Sequence, residues 1–397
     1  MTRTTFAQAP SLAIDDILAD EELHVIVCTG AGGVGKTTTA AALALRAAEQ
    51  GRNVCVLTID PAKRLAQAMG LSSLDNVPRQ VPGVSAPDGS GALFAMMLDM
   101  KRTFDEVVEG HADPARAQQI LANPFYQTLS SSFAGTQEYM AMEKLGQLRV
   151  RAEAEGTWDL IIVDTPPSRS ALDFLDAPAR LGSFLDGRFI RILTAPARGA
   201  GKGIGRIAAL GFGLFTSVLN KILGAQVLVD VGSFVAAIDT TFGGFRERAD
   251  ETYALLKDSG TSFVVIAAPE RDALREAAYF VERLRADGMP LAGLVLNRVQ
   301  KLDDPDLSGE QAAAGSQTLT ELAGESTSAE AESQRLTAAL LALHAQRTDV
   351  AARQRHLADR FTAAHPGVAV SSVPALAEDV HDLDGLREIG NLLALGR

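Results

Sequence analysis

Gly30, Ala31, Gly32, Gly33, Val34, Gly35, Lys36 and Thr37 spell G-x-x-x-x-G-K-T directly after the apolar run Val25, Ile26 and Val27. The chemistry open to this spacing is the holding of phosphate. Glycines let successive backbone N–H groups curl around phosphate oxygens, and a helix that follows adds the positive end of its dipole. The closing lysine, Lys36, reaches β- and γ-phosphates, and the Thr37 hydroxyl ligates Mg²⁺. Gly30, Gly32, Gly33, Val34, Gly35 and Thr38 supply the rest of the cradle. The pattern has meaning only between a strand and a helix. Residues 23–29 read as that strand and 38–49 as that helix, so the loop implies a bound nucleotide.

Two carboxylates extend the reading. The apolar run from Val54 to Ile59 ends at Asp60, Pro61 and Ala62. A carboxylate there faces a γ-phosphate, where it orients the attacking water or takes its proton; capping the next helix is its alternative role. The run from Trp158 to Val163 ends at Asp164, which suits the metal side of such a site, directly or through water. Thr165, Pro166, Pro167 and Ser168 follow as a stiff turn placed to sense the γ-phosphate.

The elements that must position these groups are short continuous apolar runs at 23–29, 53–59, 92–98, 159–163, 262–268, 291–296 and 368–373. Continuous rather than alternating runs are the mark of parallel strands covered on both faces. With helices between them they predict an α/β fold with a doubly wound, mostly parallel sheet. Ligands of such sheets lie beyond the carboxyl ends of the strands, where Gly30, Asp60, Asp164 and Asn297 all fall. One domain over 1–397 is expected, with a helical insertion at about 100–255 interrupted by the core strand 159–164. Residues 301–335, with eight acids and two bases among Ala, Gly, Ser and Thr, read as a flexible acidic insertion before a helix starting near Arg335. Residues 187–222 carry six basic side chains and no acidic one. Their second half, 203–223, reads as a helix whose apolar arc is too wide for an ordinary surface helix. It must be buried against the protein or its dimer, an apolar client, or a membrane surface.

Composition narrows the class. A net charge of −12 argues against nucleic-acid binding. The two cysteines, Cys28 and Cys55, sit in strand-like runs and read as reduced core residues rather than a disulfide or zinc framework. With neither a leader-like start nor a long unbroken apolar run, a cytoplasmic chain is expected, membrane-associated only through partners.

The sequences Gly-Gly-Val-Gly-Lys-Thr-Thr, Thr-Ile-Asp-Pro-Ala and Val-Asp-Thr-Pro-Pro resemble the ArsA and tail-anchored-protein-targeting ATPase family, deviant Walker A P-loop proteins of the SIMIBI type. The stretches from Gly30 to Leu65 and from Gly135 to Leu148 resemble a single-loop actinobacterial branch of that family. Gly135 with Glu138, Pro269 with Glu270 and Glu276, and Pro374 with Glu378 extend the match. The resemblance implies ATP and Mg²⁺ as cofactors, Asn297 reading adenine, and the loop at Pro374 covering the base. It implies an ATPase that couples hydrolysis to a conformational switch acting on a hydrophobic client or membrane protein through 187–222. The family usually has lysine where this chain has Ala31, a lysine that reaches the partner's nucleotide across a dimer. That departure favours a heterodimer with a homologous ATPase subunit over a homodimer. Arg169 and Ser170 replace the family's Gly-His, and no C-x-x-C is present for a zinc-bridged dimer. The competing classes are a slowly hydrolysing regulatory subunit that completes a paralogue's site, and a membrane-associated positioning ATPase.

Overall fold

Runs of Val, Ile, Leu and Cys without polar alternation must have both faces covered, and the fold meets that demand with helices on either side of one sheet. The computed structural model describes residues 6–59, 64–124, 126–127, 130, 136–166 and 243–396. Asp60 and the whole of 187–222 therefore lie outside the described residues, as do Gly135, Arg169 and Ser170. After a short 3-10 turn at Phe6–Gln8, the described elements are α1 (Ile14–Ala19), β1 (Val25–Gly30), α2 (Lys36–Glu49), β2 (Asn53–Thr58) and α3 (Arg64–Ala68). Next come β3 (Arg79–Gln80), β4 (Ala92–Met97), α4 (Met100–His111), α5 (Pro114–Leu121), α6 (Thr136–Glu155) and β5 (Leu160–Asp164). The chain continues with α7 (Gly243–Lys257), β6 (Thr261–Ala267), α8 (Arg271–Asp287), β7 (Leu291–Val299), α9 (Gly309–Ala323), α10 (Ala329–Ala364), β8 (Val370–Pro374) and α11 (Leu383–Leu395).

Among the described residues the sheet has eight strands in the order β3-β4-β2-β5-β1-β6-β7-β8. Every pairing is parallel except β3 with β4, the doubly wound arrangement expected. The seven apolar runs correspond to seven of the strands; β3, two exposed residues at the edge, has no hydrophobic signal and is not among those expected. Strands β1 and β5 are buried along their whole length. The register aligns Thr58 and Cys28 with Asp164 on either side of it, so three strand ends meet at one level. Helix α2 is lined by buried alanines and leucines, which let it lie close on the sheet. Helix α11 packs against α2 and against β8, with Arg387 bound to Glu49 at 2.7 Å.

Within the segment expected as a flexible insertion, Gly309–Ala323 and the residues from Ala329 on are helical, whereas 301–308 are not. Ser308 caps α9 in a reciprocal capping box with Gln311, and α10 begins at Ala329 behind a Ser328 cap, earlier than Arg335. Small residues that read as linker are what allows the two helices to approach: a Cβ on Gly315 would lie 3.1 Å from Leu341, and Ser316 Oγ donates to Ala338 O at 2.8 Å. Among the described residues no helix is long and apolar enough to cross a membrane.

Candidate functional site

Strand β1 leaves the sheet at Gly30, whose φ is 151°. A Cβ there would stand 2.0 Å from Ile266 O, so the loop can pass over β6 only with glycine. Gly33 and Gly35 also have positive φ, 77° and 92°. Gly35 is the N-cap of α2, and Lys36, Thr37 and Thr38 form the first helical turn, with their N–H groups at the positive end of the dipole. Lys36 is 7% exposed and its Nζ donates to Ala31 O at 2.9 Å.

Across the strand ends, Thr37 Oγ1 donates to Asp164 Oδ2 at 2.7 Å, and Thr58 Oγ1 donates to the same oxygen at 2.9 Å. Asp164 is fully buried. Thr165 pins the end of β5 to β1, its hydroxyl donating to Cys28 O at 2.8 Å and its amide to the same oxygen at 3.2 Å. The carboxylate is thus set beside the first turn of α2 by both backbone and hydroxyl contacts. Burial raises the Cys28 thiol far above its ordinary pKa, with the Asp164 carboxylate adding to the effect. Cys55 is pushed up to about 12, again by burial. Both are core thiols.

A cavity of about 540 Å³ opens on this loop. Gly33, Gly35, Lys36, Thr37 and Thr38 form one wall, and Gln67, Arg298, Asp379 and His381 stand among the residues that complete it. Of the residues singled out from sequence, Asn297 does not line the cavity but underpins it. Its Nδ2 donates to Val34 O at 2.8 Å, and its Oδ1 accepts from Arg298 N at 2.9 Å. A Cβ on Gly35 would come within 2.3 Å of the Asn297 amide, so the loop and the asparagine are in close contact. Pro374 ends β8 opposite Val299 and stands back from the lining; the loop beyond it contributes Asp379, Val380 and His381. Glu138 is buried near the start of α6.

Arg298 is the residue that sequence reasoning missed. It has a φ of 60°, the one non-glycine among the described residues with positive φ, and it sits where the β7–β8 register shifts between Leu296 and Val299. Strained backbone of this kind gathers at ligand sites. The sequence signal available was its place next to Asn297 at a strand's carboxyl end.

A phosphate loop joining a buried parallel strand to a helix, with a second strand's aspartate on its hydroxyl, defines a P-loop nucleotide hydrolase. The sequence profile of the anion-transporting ATPases, the ArsA ATPase family, matches residues 23–314. The chain belongs to that family and is an ATPase. It is 28% identical over 296 residues to the protein named ATPase GET3 of Podospora anserina, covering 74% of this chain and 77% of that protein. Similarity to ATPase GET3 of Malassezia globosa is 28% over 299 residues, covering 75% and 79% of the respective chains.

Proposed function

We propose that this chain is an Mg²⁺-dependent ATPase whose hydrolysis drives a switch read by a hydrophobic client or membrane-linked partner. The observation that carries the metal and nucleotide assignment is the 2.7 Å contact of Thr37 Oγ1 with Asp164 beside the phosphate loop. A hydroxyl and a carboxylate are the hard oxygen donors that Mg²⁺ takes, so the set fits that ion. Thr37 would hold it directly and Asp164 directly or through water, and the ion would supply positive charge against the phosphates. Lys36 has a backbone carbonyl as its acceptor at 2.9 Å, and phosphate oxygens offer it a charged and therefore stronger one. The backbone N–H groups of 30–38 hold the remaining phosphate oxygens. In this reading Asp60 orients the attacking water, Asn297 holds the phosphate loop from beneath at the side where the base would lie, and the loop after Pro374 bounds the base.

The test is a pair of variants assayed for ATP affinity and turnover. Lys36→Ala should lose productive ATP binding, and Asp164→Asn should keep ATP yet need far more Mg²⁺ for turnover. A normal Mg²⁺ titration in Asp164→Asn would remove that residue from the metal site. Asp60→Asn should bind ATP without hydrolysing it.

Ala31 supports the second part of the proposal, a heterodimer with a paralogue that keeps the family's lysine. Ala31 is 8% exposed, and its methyl side chain can place no charge on a neighbouring nucleotide. A charge supplied across an interface is worth roughly 10³–10⁵ in rate for arginine fingers, so a dimer of two Ala31 chains forgoes a large effect. ATPase activity of the chain alone should be low and should rise when a lysine-bearing paralogue is added, but not when that lysine is changed to alanine. Full activity alone would reject the heterodimer and with it the regulatory-subunit reading.

A further inference from the structure

Away from the phosphate loop, α8 and α10 enclose a second cavity of about 530 Å³, within the range of small-ligand sites. Its floor is apolar, with Leu274 and Phe361 buried and Leu357 half-buried. Arg271, Arg275 and Arg360 stand on its rim. Arg275 is bound to Asp272 at 3.1 Å. Arg271 and Arg360 make no ion pair or side-chain hydrogen bond among the described residues, which is unusual company for a chain of net charge −12.

The decisive residue is His365, which also lines this cavity. It is 5% exposed and its ring packs tilted on Phe361 with centroids 4.9 Å apart; neither ring nitrogen is among the described side-chain atoms that are both sealed from water and without a partner, so the ring edge stays open to the groove. Burial holds its pKa below the ordinary value, with Glu282 acting upward and Arg285 downward, so near pH 7 the neutral ring has one donor and one acceptor to offer. A small molecule lying in the groove would meet that ring edge in place of water.

We infer that this groove binds a small anionic amphiphile, a carboxylate or phosphate on an apolar body. The body covers Leu274, Leu357 and Phe361, and the head meets Arg271, Arg360 and the His365 ring. Charge-assisted hydrogen bonds are about twice as strong as neutral ones, so the anion is held by its head and selected by its tail.

The test is calorimetric titration of the full chain with monomeric decanoate, alongside decanamide, acetate and phosphatidylglycerol vesicles. Decanoate should saturate at one site per chain, with decanamide and acetate each weaker by roughly tenfold or more. Arg271→Gln with Arg360→Gln should weaken decanoate by about tenfold, whereas the same charge change at Arg353 and Arg355, exposed elsewhere on α10, should change it less than about twofold. Single Arg271→Gln and Arg360→Gln chains, each expected to lose about threefold, serve if the double variant does not fold. Equal binding of decanamide, unchanged binding in the Arg271 and Arg360 variants, or binding to vesicles without binding to decanoate would each overturn the inference.

Discussion

Replacing Asn297 with alanine removes two hydrogen bonds at once, the 2.8 Å donation to Val34 O and the 2.9 Å acceptance from Arg298 N. Asn297 is 8% exposed, and a buried polar group left unmet costs about 1–3 kcal/mol. Val34 belongs to the loop that bounds the cavity, so water can replace part of what is lost, and the pair together should cost about 2 kcal/mol rather than twice the mean. The Arg298 backbone, at a φ of 60°, also loses the acceptor that offsets its strain. Urea unfolding of the nucleotide-free chain should therefore show a lower midpoint at an unchanged slope. If about 1.4 kcal/mol of that loss falls on the ordered phosphate loop, affinity drops about tenfold, for ATP and GTP alike. Unchanged unfolding, with only the preference for ATP over GTP reduced, would refute the clamp and leave Asn297 as a reader of the base alone.

Three further outcomes follow from the packing. Gly30→Ala should destabilise by about 3 kcal/mol or more, because its Cβ would meet Ile266 O at 2.0 Å; chemical denaturation measures this. Neither Cys28 nor Cys55 should react with iodoacetamide in the folded chain at pH 8, since burial raises both thiols, and mass spectrometry should find both labelled once urea unfolds it. The hydrogen bond from Arg46 holds Asp15 below its ordinary pKa. Its contribution is present above the unfolded carboxylate value and lost as pH falls through the folded one, so Asp15→Asn should flatten the acid limb of stability against pH.

The phosphate loop, the carboxylate at Asp164 and the parallel sheet were legible in the sequence for physical reasons that are local. Backbone approach to phosphate demands glycines at fixed spacing, and strands covered on both faces demand unbroken apolar runs such as Val25 to Cys28. Family resemblance drew attention to Asn297, but its contact with Val34 arises only when β7 is laid two strands away from β1, across β6. The far wall of the cavity is likewise built from Arg298, Asp379 and His381, each more than 250 residues from the loop they face. Nothing in the composition of 301–335 separates a linker from a close-packed helical pair, because Ala, Gly and Ser suit both. Only the partner helix decides, by offering Ala338 O to Ser316 and a flank against Gly315. The groove with His365 has the same origin. Its arginines and apolar floor come from two helices that are separate in sequence, and the groove exists only when they meet.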